Sequence, residues 1–139
     1  MERVIERRED LGRALKNFHE SIQIFNESKI ARNIAPAQIR VNRNSVIKTF
    51  ELCYDLLWKS LKDFIEKKLG ILVTSPKKVF QEARTQNLID DREFKEMLAV
   101  VDDRNLTART YDEDFAESVA QRAIAHFDLM KKVAEKIKF

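Results

Sequence analysis

Arg43 to Phe64 reads RNSVIKTFELCYDLLWKSLKDF, and this stretch decides the fold class. The apolar stripe through it falls at Val46/Ile47, Phe50, Tyr54, Leu57/Trp58, Leu61 and, at and just past its end, Phe64/Ile65. Steps of three and four residues keep such a stripe on one side of an α-helix. Neither Gly nor Pro interrupts the chain between Pro36 and Gly70, so the spacing predicts a helix from about Ala37 to Leu69 with Gly70 as its C-terminal cap. At 1.5 Å per residue that helix is about 50 Å long, more than a small core needs, which leaves a face for a partner.

The same periodicity continues on both sides. Upstream, Leu11, Leu15, Phe18, Ile22 and Phe25 step by four and three residues, the seam of a left-handed bundle, in a helix from about Glu2 to Ile30. Residues Ala31 to Pro36 break it. Downstream, Ser75-Pro76 opens a short helix carrying Val79, Phe80 and Ala83, with Ser as N-cap and Pro at the first helical position. Asn87 to Asp90 interrupts it, and Asp90 with Glu93 forms a capping-box restart before Phe94, Met97, Leu98 and Val101. A last helix from about Asp112 to Lys138 carries Phe115, Val119, Ala123, Phe127, Met130, Val133 and Ile137. With only Gly 2 and Pro 2 in 139 residues, turns are scarce. The expectation is an all-α, up-down four-helix bundle with a short extra helix, one domain spanning residues 1–139.

The net charge of +3 permits an anionic partner without requiring one. Its distribution is uneven: no acidic residue lies between Glu27 and Glu51, yet Lys29, Arg32, Arg40, Arg43 and Lys48 do. The single cysteine, Cys53, excludes an internal disulfide and reads as a buried small hydrophobe. Met1–Asp10 is charged throughout, unlike a signal peptide, and no window is apolar enough to span a membrane, so a cytoplasmic protein is expected. Neither His19 nor His126 has metal-ligand spacing; no metal or cofactor is expected. His126 reads as a satisfied core histidine, His19 as an exposed flank of the first helix.

In an up-down bundle the first and third loops share one end. The first leads into Arg40 and Arg43. The third carries Asp103-Arg104-Asn105-Leu106-Thr107-Ala108-Arg109-Thr110-Tyr111-Asp112-Glu113. The acid-free stretch and this segment should therefore converge. Taken singly, Arg104 is a carbonyl-capping or solvated residue, Thr110 with Glu113 a capping box, and Tyr111 a half-buried packing residue.

The segment resembles the R-x4-H-x-Y motif of HEPN proteins, with Arg104-Asn105 at its head, Arg109 at the histidine position and Tyr111 at the tyrosine position. Arg43–Phe64, Ser75–Asp91 (SPKKVFQEARTQNLIDD) and Asp103–Glu113 together look like the nucleotidyltransferase substrate-binding protein family, a HEPN branch. The resemblance covers roughly Arg40 to Ile137. It implies an all-α homodimer with motif loops at the dimer interface and a minimal nucleotidyltransferase as antitoxin partner. It implies a metal-independent ribonuclease toxin, silenced when the partner attaches AMP to the motif tyrosine, Tyr111. Arg104, Asn105 and the residue at 109 then stand at the catalytic positions, and Arg40 and Arg43 are expected to bind RNA.

The chemistry explains these residue types. RNA is cut without metal when its 2′-hydroxyl loses a proton and attacks the adjacent phosphorus. Histidine titrates near neutrality and suits that transfer. Arginine stays charged and suits the phosphate. Arg109 departs from the pattern: a guanidinium cannot accept a proton at neutral pH. Phosphate binding is expected to survive and cleavage to be impaired. The alternative is a non-catalytic binding subunit of a nucleotidyltransferase complex.

Overall fold

The computed structural model describes residues 2–138. Helix α1 (Glu2–Ile30) and helix α2 (Pro36–Leu69) form a long antiparallel hairpin. The short α3 (Pro76–Thr85) leads to α4 (Asp91–Leu106), then a single 3₁₀ turn (Thr107–Arg109) and α5 (Glu113–Glu135). There is no strand among the described residues. Helix α5 packs on α2, α4 and α1, while α3 bridges α2 and α4. This is the all-α bundle with a short extra helix that the apolar stripes predict.

Burial follows those stripes. Phe18, Phe25, Phe50, Leu57, Leu61, Phe80, Met97 and Met130 are fully buried in one continuous core. The rings of Phe18 and Phe50 lie 5.9 Å apart, and Phe127 meets Phe18 edge-on at 5.4 Å. Phe50→Ala would remove a fully enclosed ring and is expected to cost about 3–5 kcal/mol. Urea unfolding should show a lower midpoint with an unchanged slope. A loss below about 1 kcal/mol would mean the site collapses around the cavity.

The termini of the elements have local causes. Asn33 takes a left-handed φ of 63°, which asparagine tolerates, and turns the chain into Pro36 at the first position of α2. Gly70, at φ 70°, donates to the Glu66 carbonyl and closes α2. Asp90 accepts from the Glu93 backbone at 2.7 Å and Glu93 returns the bond at 2.9 Å, completing the expected capping box. Three expectations are corrected. Ser75 is at the N-cap of α3, but its hydroxyl caps nothing. The cap of α5 is Asp112, accepting from Phe115 N, while Thr110 turns back to the Thr107 carbonyl. And α5 stops at Glu135 rather than about Lys138; Arg8 reaches across from α1 to the Ala134 carbonyl in its last turn and to the Ile137 carbonyl beyond it.

The motif loop at the end of the bundle

Long-range pairs fix which end carries the motif. Lys29 Nζ lies 3.3 Å from Glu117, and Arg43 Nη1 lies 2.7 Å from Glu113. The α1–α2 turn therefore sits beside the start of α5, as the up-down order requires. At the opposite end, Arg7 pairs with the buried Asp63 at 2.7 Å.

Arg104 leaves α4 toward α2. Its Nη1 is 3.0 Å from Glu51 Oε2 and its Nη2 3.4 Å from Asp55 Oδ2. Those two acids stand four residues apart on α2, hence on one face. Thr107 completes the cluster: its Oγ1 accepts from Arg104 Nη1 at 2.9 Å and lies 2.7 Å from the Arg104 carbonyl. Such back-bonding by threonine tightens a last helical turn into 3₁₀ geometry. Arg104 Nε is buried without an acceptor. Burial, with a further push from Asp55, raises the neighbouring Tyr54 phenol to about 12.

The preceding residue faces elsewhere, since one helical step rotates a side chain by about 100°. Asp103 is buried against α5, where His126 Nε2 lies 2.6 Å and Arg122 Nε 3.1 Å from its carboxylate oxygens. His126 is thus a satisfied, largely buried histidine and belongs to the α4–α5 contact. His19 is exposed, its ring 5.2 Å from that of Phe127 and tilted 34° to it.

The remaining motif residues are open. Asn105 and Arg109 are exposed, and Tyr111 is 85% exposed. The Arg109 guanidinium lies 5.8 Å from the Phe115 ring and makes no ion pair among the described residues. Arg40 is exposed, whereas Arg43 is 5% exposed, its Nε and Nη2 bound to Asn44 Oδ1 at 3.2 and 3.0 Å. Arg43, expected to bind RNA, is held by Asn44 and Glu113. The bond from Arg43, with Arg40 acting through space, holds the Glu113 carboxyl below its usual range.

The structure thus brings Arg40, Arg43 and Glu113 into one cluster, and Arg104, Glu51 and Asp55 into a second. Sequence reasoning missed Glu51 and Asp55 and read Glu113 only as a capping residue. Glu51 and Asp55 had a signal in their four-residue spacing directly after the acid-free stretch; Glu113 had none. Two grooves, of about 760 and 370 Å³, lie between α4 and α5 and between α1 and α5, and no motif residue lines either. The motif lies on an open surface, which suits a macromolecule better than a small ligand. No group of three or more His, Cys, Asp or Glu placed to hold a metal occurs among the described residues. Among those residues, no helix is long and apolar enough to cross a membrane.

A family model described as "Nucleotidyltransferase substrate binding protein like" matches residues 6–138. A protein of Thermus thermophilus, known from its crystal structure, is 30% identical over 88% of this chain and 99% of its own, with a TM-score of 0.68. A tri-AMPylated HEPN toxin of Shewanella oneidensis, solved in complex with an MNT antitoxin, superimposes with a TM-score of 0.71 at 16% identity, covering 96% of this chain and 95% of that one. A mutant of the toxin–antitoxin MntA-HpeT gives 0.74 at 14% identity, over 99% and 98%. At those two identities the likeness is one of fold: the bundle is HEPN-like. Among curated proteins, none matches the sequence.

Proposed function

This chain belongs to the nucleotidyltransferase substrate-binding-protein-like family, and from that premise we propose that it is the HEPN-type partner of a minimal nucleotidyltransferase. In this reading it binds RNA at the motif end, receives AMP on Tyr111, and cleaves RNA weakly or not at all. The observation that carries the reading is the Tyr111 side chain, 85% exposed between the 3₁₀ turn and α5, beside the exposed Arg109. The Shewanella protein that shares this fold is tri-AMPylated and bound to an MNT antitoxin, which supports the same chemistry here.

Each residue has a chemical task. The Tyr111 oxygen would attack the α-phosphorus of ATP; the new bond is O–P, pyrophosphate leaves, and the phenol proton passes to a base of the partner enzyme. Toward RNA, Arg40 and Arg109 supply unpaired positive charge, and Asn105 can hydrogen-bond a phosphate or a base. Cleavage would require the 2′-hydroxyl proton to be taken as the 2′-oxygen attacks phosphorus and the 5′-oxygen departs. Arg109 cannot take that proton. A second copy would double the charge around the site; Val41 and Leu52, 59% and 52% exposed on α2, offer it apolar contact. The binding-subunit reading is favoured by one observation: position 109, where the family motif has histidine, holds a permanently charged group.

RNA binding is tested through Arg40. Arg40→Glu should weaken binding of a single-stranded RNA and flatten its log–log salt dependence by ~0.7 for each phosphate no longer neutralised. An unchanged affinity and slope, in a protein of unchanged size, would place the RNA path elsewhere.

A further inference from the structure

We propose that Arg43 and Arg40 form a binding site for a phosphodiester, and that Glu113 occupies this site as an internal plug until the ligand displaces it. The identity of the ligand rests on the function proposed above; the plug rests on geometry. The Arg43 side chain is 7% exposed, while its acidic partner Glu113 is 63% exposed. In an ion pair so divided, the exposed member can leave. Glu113 is the first residue of α5, but the helix is capped by Asp112, so rotation of the Glu113 side chain costs no cap.

Arg43, by contrast, is fixed. Asn44 Oδ1 holds Nε and Nη2, and Nη1 alone reaches the Glu113 carboxylate at 2.7 Å. The guanidinium thus has its orientation set before any ligand arrives, a fixed cation of the kind that suits phosphate. Arg40 stands three residues earlier, close enough to act on the same carboxylate and exposed enough to meet a ligand. A phosphodiester carries the same single negative charge as Glu113, with two free oxygens for the two arginines. Two sources present that group at this end of the bundle: the backbone of an RNA, and an AMP esterified to Tyr111. In either case the motif loop carries its own competitor for the phosphate.

The test compares the full chain with Glu113→Gln and Glu113→Ala, using a single-stranded RNA oligomer on each protein and, separately, Tyr111 adenylylated by the partner enzyme. With RNA, both variants should bind roughly three- to ten-fold more tightly at about 0.1 M salt. Their log–log salt slope should stay that of the parent, since the phosphate displaces Glu113 in the parent and is neutralised by the same arginines in both. Adding Arg40→Gln should cancel the gain. In the adenylylated protein, the NMR signal of the Arg43 Nε–H should shift on modification, and further in the Glu113→Gln background. A gain with RNA alone assigns the site to the RNA backbone; a shift on adenylylation alone assigns it to the tyrosyl nucleotide. Neither effect, in variants that melt like the parent, overturns the plug. RNA binding that is present in the parent but no tighter in the variants also overturns it, and leaves the proposed function standing. No RNA binding by any variant, together with no AMP transfer, overturns the proposed function instead.

Discussion

Replacing Arg109 with histidine is expected to raise RNA cleavage by roughly 10²–10⁴-fold, with no added metal. The size of the effect is that of general acid–base catalysis, the one capability the residue at 109 lacks. Arg109 is exposed, and its one described contact is the 5.8 Å approach to Phe115, so the exchange leaves the core untouched. An imidazole there would titrate near its ordinary value of about 6.5 and could take the 2′-proton at neutral pH. The other motif residues stay in place: Arg104 at the head of the loop, Asn105 beside it, Tyr111 after it. In the proposed reading Arg104 would exchange a contact to Glu51 or Asp55 for the scissile phosphate. Degradation of RNA by both proteins, with chelator present, measures the change. No gain in a folded Arg109→His protein would sink the impaired-toxin reading and leave the binding-subunit reading in its place.

What the sequence carried and what it withheld divide along a physical line. Helix α2 was legible because its stripe is periodic and uninterrupted. The Asp90–Glu93 box was legible because both partners are local. The convergence of the acid-free stretch with the motif was legible because helix order alone fixes which loops share an end. Burial of individual cations was not. Arg43 and Glu113 are far apart in the chain, and their pairing depends on how α2 and α5 are rotated about their axes, which a three-to-four periodicity specifies only to within a side chain. The same rotation sends Arg104 to Glu51 and Asp55, and Asp103 to His126. Thus which residues share this end of the bundle could be read in advance. Which of their charges are already neutralised could not.

That distinction bears on the modification. Tyr111→Phe should abolish AMP transfer to this chain by the cognate nucleotidyltransferase. Only two tyrosines are present, Tyr54 and Tyr111. Tyr54 is 4% exposed and its phenol is pushed up to about 12, mainly by burial, so no partner enzyme can reach it in the folded protein. Tyr111 is 85% exposed, and its hydroxyl makes no hydrogen bond among the described residues. The competing hydroxyl nearby, Thr110 Oγ1, is half-buried and bound to the Thr107 carbonyl at 3.1 Å. The loop around Tyr111 lies between helices, so an active site can close over it without unwinding either one. Phenylalanine keeps the ring and removes only the nucleophile. Intact-mass and peptide spectrometry after incubation with the partner and ATP is the measurement. Parent protein should gain AMP on the Tyr111 peptide and the variant none. A Tyr111→Phe chain that is still fully modified would move the acceptor to another residue, and with it the reason for this loop to face solvent.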